Sequence, residues 1–439
     1  MTSDAPDLSW TRRGVMAAAA AVAAATAARA EPAAALPDGF LMGAAVAGHQ
    51  VEGNNLNSDC WLLEHLQPSP FREKSGDACD HYHRFRDDIA LLAGLGLNAF
   101  RFSVEWSRVE PEPGEFSNAE LEHYRRVAAT CREHGVTPVI TFNHFTVPRW
   151  FAARGGFEDT QSPDLFAKYC ERATAAVGEF AGLASTFNEP DLGRVLRAML
   201  PPQMVQGFAP VMAAAAKAAG SGRFSTVQFA DPDVIQPQMI AAHQKAYAAI
   251  KAGPGSFPVG VSLAIADEQA MGPDSVSERV RRETYGPWLE AVRGTGDYVG
   301  VQTYTRNRWD KDGIVPLPPG ARLTQTGYEF YPEALEATIR YAHAVTGKPV
   351  YVTENGVASE DDRDRVEYIR TALRGVGNCL ASGVPVRGYL HWSLLDNFEW
   401  VFGFGPKFGL VAVDRATQAR QPKPSAVLLG ALAKSRRLA

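Results

Sequence analysis

The chain has 439 residues, 46% of them hydrophobic and 21% charged, with a formal net charge of −5. This is the composition of a soluble globular protein with a large core. Mild acidity without any block of Lys and Arg argues against nucleic acid or an anionic membrane as partner. Beyond the N-terminus no apolar run is long enough to span a bilayer.

Thr11, Arg12 and Arg13 precede an alanine-rich apolar run, GVMAAAAAVAAATA, and Ala28-Arg29-Ala30 completes an A-x-A cleavage pattern. Charge, apolar stretch and small-residue site in this order predict a twin-arginine export signal over residues 1–30. The mature chain, residues 31–439, would begin at Glu31 and be periplasmic or secreted. The competing reading is a retained alanine helix.

From about residue 40 onward, strand-like runs alternate with amphipathic helices. The strands read as residues 40–46, 98–103, 137–142, 183–187, 258–263, 298–303, 349–353 and 386–392. They are short and rich in Val, Ile, Phe and Tyr, and most lack strict alternation, as strands covered on both faces do. After the first strand, Tyr82, Phe85, Ile89 and Leu92 form one helical face. After the second, Ser117-x-x-Glu120 predicts a capping box before Leu121, Tyr124, Ala128 and Cys131, with Gly135 as the stop. After the third, Ser162 and Pro163 suit N-cap and N1 of a helix carrying Phe166, Tyr169, Ala173 and Phe180. After the fourth, residues 191–235 break the rhythm and read as an extended loop, with a helix resuming over Gln238–Ile250. Pro332 opens a helix with Leu335, Ile339 and Ala342 inward.

Eight β/α units without a dividing linker predict one domain, a (β/α)8 TIM barrel with a loop insertion after strand four. The five cysteines, Cys60, Cys79, Cys131, Cys170 and Cys379, contain no C-x-x-C pair. Cys131 and Cys170 sit at apolar helix positions and read as buried; a Cys60–Cys79 disulfide is open in an exported chain.

Polar and aromatic residues gather at the C-terminal ends of these strands, where barrel enzymes keep their sites. His49, Gln50 and Glu52 follow the first, and Arg101 lies in the second. His144, Pro148 and Trp150 follow the third; Asn188 and Glu189 end the fourth; Tyr304 follows the sixth; Glu354 and Asn355 end the seventh. Trp392 closes the eighth, with Asn397, Glu399 and Trp400 just beyond. Strands four and seven are nearly opposite in such a barrel, so Glu189 and Glu354 can face one another. Each alone reads most simply as a solvated rim residue. Together, flanked by amides and indoles, they point to glycoside hydrolysis, which needs one protonated and one ionised carboxyl. Arg101 and Tyr304 would keep the second one ionised. No H-E-x-x-H, G-x-S-x-G or Walker A sequence competes, and His81-x-His83 lacks further ligands, so no metal is expected.

The stretches FLMGAAVAGHQVEG, FRFSVEWSRVEP, TFNHFTVPRWF, TFNEP, YVTENG, WSLLDNFEW and FGLVAVD resemble glycoside hydrolase family 1, the β-glucosidase family, over residues 38–430. The resemblance implies Glu189 as acid/base and Glu354 as nucleophile. Gln50, His144, Asn188, Glu399 and Trp400 would bind the glycone, Trp392 would stack beneath it, and Arg101 and Tyr304 would tune Glu354. The chain departs from the family at Gln302-Thr303-Tyr304, where Asn-Tyr-Tyr is common, at Phe145, where Trp is common, and after Glu189.

The expected activity is that of a retaining β-glycosidase, foremost a β-glucosidase. It would cleave terminal non-reducing β-D-glucosyl residues by double displacement, without metal or organic cofactor. Its partner would be a small β-glycoside, with no nucleic acid and, once the signal is removed, no membrane. The alternatives are a preference for β-galactosides or β-fucosides, transglycosylation, a non-catalytic sugar-binding barrel, and a metal-dependent barrel hydrolase.

Overall fold

The computed structural model describes residues 35–438. The export signal and Glu31 lie outside these residues. The eight expected runs form the strands β1 (Leu41–Ala45), β2 (Ala99–Ser103), β3 (Thr137–Asn143), β4 (Leu183–Asn188), β5 (Val259–Ala264), β6 (Tyr298–Gln302), β7 (Val350–Asn355) and β8 (Val386–Trp392). They pair in parallel around a ring that closes where β8 meets β1, with Leu41 opposite Gly388 and Ala45 opposite Trp392. The fold is a (β/α)8 barrel. β4 and β7 run further than their apolar residues suggest and carry Asn188, Glu354 and Asn355 as strand residues.

Eight helices cover the ring: α1 (His81–Leu95), α2 (Asn118–Glu133), α3 (Ser162–Val177), α4 (Pro232–Ala252), α5 (Gly286–Gly294), α6 (Ala334–Thr346), α7 (Asp362–Ala381) and α8 (Pro424–Ser435). Most of the expected inner faces are buried, namely Phe85, Ile89 and Leu92 on α1, Tyr124, Ala128 and Cys131 on α2, and Leu335, Ile339 and Ala342 on α6, while Tyr82 and Leu121 at the helix starts are half-buried.

Helix ends differ from expectation where side chains found other partners. Ser117 accepts the Glu120 N–H at 3.3 Å, but the capping box is half made: the Glu120 carboxylate instead takes the Tyr82 phenol at 3.0 Å. In α3 the cap is Gln161 rather than Ser162, and the helix stops at Val177, short of Phe180. α6 begins after Pro332, with Glu333 as its cap.

The expected loop after β4 is largely helical. It holds Leu192–Met199, Pro202–Gln206 and Phe208–Ala219, and α4 then starts at Pro232. The alanine run of FAPVMAAAAKAA explains this, because alanine has the highest intrinsic helix propensity.

All five cysteines are free and buried, so no Cys60–Cys79 disulfide exists. Cys79 donates to the Asp396 carbonyl at 3.4 Å, and Cys60 lies 3.9 Å from Gln228 Oε1. His81 of the H-x-H pair is taken by Asp88 at 2.8 Å and His83 by Asp80 at 2.6 Å.

Within the barrel, Ala99, Val139, Leu183, Tyr298 and Leu390 form an apolar floor. A polar layer rests on it, where Ser185 meets Ser262 at 2.9 Å and the Tyr298 hydroxyl at 2.7 Å. At the pole below this floor the described ends of the chain are joined. Leu36 N–H donates to the Arg436 carbonyl at 2.9 Å, and the Arg436 guanidinium donates to the Pro37 carbonyl and to Asp38, each at 2.9 Å.

Candidate active site

The upper ends of the strands are where regular pairing fails. Register breaks between Ser185 and Asn188 on β4, between Val301 and Gln302 on β6, and between Tyr389 and His391 on β8. Such irregularities re-aim side chains at a barrel rim. They open a cavity of about 240 Å³ whose lining includes His144, Asn188, Glu189, Tyr304, Glu354, Trp392, Glu399 and Trp400. Gln50 and Arg101, the other expected site residues, are fully buried behind this lining.

Glu354 is the most firmly held of these groups. Arg101 Nη1 donates to its Oε1 at 2.5 Å, and the Tyr304 phenol donates to its Oε2 at 2.6 Å. Arg101 is itself fixed from below: Nε donates to Thr141 at 2.9 Å and Nη2 to Asn188 Oδ1 at 2.6 Å. Gln302, one of the departures from the family pattern, donates to the same Asn188 oxygen at 2.7 Å. With its oxygen taken by two donors, Asn188 must turn its amide N–H toward His144 Nε2, 3.2 Å away. The imidazole proton then sits on Nδ1, which has no protein partner. Burial and the charge of Arg101 push the His144 pKa well below its usual range, so the ring is neutral.

Glu189 stands apart, three strands round the ring from β7. Its backbone N–H is pinned to the Ser262 carbonyl at 2.7 Å, and no described group donates to its carboxyl. Burial, then the negative charge of Glu354, then Asp191, raise its pKa well above the ordinary value. Burial raises Glu354 as well, but Arg101, Tyr304 and Gln302 oppose it. Of this coupled pair Glu354 therefore loses its proton first, and Glu189 keeps its own.

Above them lies a third carboxyl. Gln50 donates to the Phe398 carbonyl at 2.8 Å and to Glu399 Oε2 at 3.2 Å, so it serves as a brace for Glu399. Burial and the charge of Glu354 raise Glu399 to about 8, against the opposing hydrogen bonds of Trp392 and Gln50. His144 stacks on Trp392 at 5.6 Å and on Trp400 at 6.1 Å between ring centres, while Phe145 meets Trp400 edge-on at 5.3 Å. Among the described residues, no group of three or more His, Cys, Asp or Glu is arranged to hold a metal ion.

Two groups at the site are absent from the sequence expectations. Thr141 holds Arg101, but as a β-branched residue within a strand it carries no distinguishing signal. Asp191 is fully buried; its Oδ1 accepts the Ala264 N–H at 3.1 Å, its Oδ2 has no protein partner, and burial raises it to about 8. Its place two residues after Glu189 was the available clue.

A closed barrel holding one guanidinium-bound carboxylate and one proton-retaining carboxyl in a single cavity defines an O-glycosyl hydrolase. The chain belongs to glycosyl hydrolase family 1, whose sequence profile matches residues 33–298 and 303–438. It is similar to the solved structure of the beta-glycosidase BGL167, with 51% identity and a TM-score of 0.87 over 92% of this chain and 98% of that one. It is 30% identical to thermostable beta-glucosidase B of Thermobispora bispora, over 89% of each chain. It is also 28% identical to the bifunctional beta-D-glucosidase/beta-D-fucosidase of Bifidobacterium breve, over 89% of this chain and 96% of that one.

Proposed function

We propose that the protein is a retaining β-glucosidase acting on terminal β-D-glucosyl residues, with Glu354 as nucleophile and Glu189 as acid/base. The observation that carries this is the division of protons. Two donors stabilise the charge of Glu354, whereas Glu189 has none and faces that charge. In the first step Glu354 attacks the anomeric carbon, the glycosidic C–O bond breaks, and the Glu189 proton passes to the leaving oxygen. The ester formed at Glu354 is neutral. The charge that held Glu189 protonated has gone, so Glu189 is now a carboxylate able to take a proton from water. That water attacks the anomeric carbon from the opposite face, Glu354 leaves, and the sugar departs with its β configuration.

With its pKa raised by burial and by the charge of Glu354, Glu399 can hold a proton to donate to a sugar hydroxyl as well as accept from one, with Gln50 as its brace. His144 Nδ1–H and the Asn188 amide would reach further hydroxyls, with Trp392 and Trp400 against the sugar ring. Glucosides are the foremost substrates; β-galactosides and β-fucosides, which differ at the 4- and 6-positions, would be accepted less well. A 2-deoxy-2-fluoroglucoside with a good leaving group should label Glu354, and NMR should show the β-anomer of glucose forming first. An α-anomer appearing first would overturn the assignment.

We further infer, from Arg12-Arg13 and Ala28-Arg29-Ala30, export through the twin-arginine route. N-terminal sequencing of the natively made protein should begin at Glu31; an intact start retained in the cytoplasm would refute it.

A further inference from the structure

We propose that the outer half of this cavity selects an apolar, uncharged aglycone, an alkyl chain or aromatic ring system, over a second sugar. The inference rests on the β-glucosidase reading of the inner half and concerns the other side of the scissile bond.

The helix Leu192–Met199, which follows Glu189 directly, is amphipathic in an unusual direction. Leu192, Val195, Leu196 and Met199 recur at one-face spacing, and all four line the cavity while remaining half-buried. Leu192 and Val195 also pack on the main core, but Leu196 and Met199 do not, so their apolar surface is turned to the cavity. The polar side is fastened elsewhere. Arg194 donates to Gln236 at 2.6 Å and Asp233 at 2.7 Å, and Arg197 donates to Asp233 and Asp231, each at 2.5 Å. These bonds tie the helix to the start of α4, so its apolar stripe is held toward the substrate.

The rest of the lining is also largely apolar. Phe229 and Phe402 add aromatic surface, and Asn307 is already engaged by Glu268 at 3.2 Å. Among the described lining residues, only Glu189, Glu354 and Glu399 carry carboxyl groups and none is Lys or Arg. All three glutamates belong to the inner half. Of the other polar lining residues, Thr305 is taken by the Glu329 carbonyl and Thr326 by Thr324, so the several hydroxyls of a second glucosyl unit would find chiefly Gln228 and Tyr328 as partners, and those left unpaired cost binding. A hydrocarbon gains from every methylene it buries. Met199, unbranched and adaptable, suits a site that accepts apolar shapes of differing outline.

The test is kcat/KM for methyl, butyl, hexyl and octyl β-D-glucosides, whose leaving groups are chemically alike, alongside cellobiose. From butyl upward kcat/KM should rise about two- to fourfold per methylene until the wall is filled, with octyl glucoside above cellobiose by about tenfold or more. Leu196→Gln and Met199→Gln should each flatten this slope, with circular dichroism and Tm confirming the fold. A flat series in the wild-type enzyme, or cellobiose cleaved as well as octyl glucoside, overturns the inference while leaving the β-glucosidase reading intact. If none of these glucosides turns over, it is that underlying reading which fails.

Discussion

Phe145, Glu189 and Trp400 line the cavity with left-handed backbones, at φ of 68°, 45° and 48°. Side chains of L-residues adopt this conformation at a cost of roughly 1–2 kcal/mol each, which persists where the surroundings enforce it. At Glu189 the Ser262 carbonyl does so. Glu189→Gly removes both this strain and a carboxyl beside the charge of Glu354, and the open cavity lets water fill the space. We expect the variant to be more stable by about 1 kcal/mol in denaturant titration, after allowing for the greater freedom of glycine in the unfolded chain. Its turnover should collapse most for substrates with poor leaving groups, which depend on the lost proton.

Tyr304 carries a different consequence. Its phenol supplies one of the hydrogen bonds that oppose the burial of Glu354. Tyr304→Phe should lower kcat/KM by about ten- to a hundredfold, the worth of one hydrogen bond to a charged group. The sign of the pH effect follows from the same bond. Losing a donor to the carboxylate raises the Glu354 pKa further, so Glu354 takes up its proton at a higher pH and the acid limb of the kcat/KM profile moves upward. An acid limb that stayed in place would mean that Tyr304 does not act on Glu354.

At the level of elements, β7 shows why Glu354 is followed by asparagine and glycine. Asn355 turns away from the cavity, donating to the Thr303 carbonyl at 2.6 Å and accepting from the Tyr389 hydroxyl at 3.0 Å, which fastens β7 between its neighbours. A Cβ on Gly356 would lie 2.0 Å from the Trp392 carbonyl oxygen, and backbone cannot yield as a side-chain tip can. Gly356→Ala should cost about 1–3 kcal/mol through overpacking and push β7 and β8 apart. Because Glu354 and Trp392 sit on those two strands, kcat should fall together with Tm; a variant with normal activity and stability would refute this.

The insertion is the element that local patterns misrepresented. Its alanine run has no apolar stripe to announce a helix, and its turn residues are scattered through it, so it resembled a loop. Leu192–Met199 does carry the stripe, but the stripe faces a cavity rather than a core. Periodicity cannot distinguish the two.

Across the molecule, the barrel was legible because eight short apolar runs alternated with amphipathic helices, and topology leaves few ways to close them. The inner site was legible because its groups lie at strand ends whose positions around the ring follow from chain order. What could not be read were contacts that depend on tertiary packing: Gln302 and Arg101 converging on Asn188, the buried Asp191 beneath Glu189, and the pKa of Glu399 near 8. None of these is a pattern along the chain. Each arises where strands from distant parts of the sequence bring side chains into one dry space.

The joined ends at Leu36 and Arg436 lie at the pole opposite the cavity mouth, below the apolar floor of the barrel. A fusion partner or a solid support attached there sits at the closed pole and leaves the substrate entrance facing solution. Enzyme anchored to a bead through a linker ahead of Ala35 should therefore retain the kcat/KM of the free enzyme. Anchoring through Tyr328, which lines the cavity yet is 39% exposed, should lower it for long aglycones first, because their far ends lie beside that residue. The molecule thus has a natural handle, set as far from its chemistry as the barrel allows.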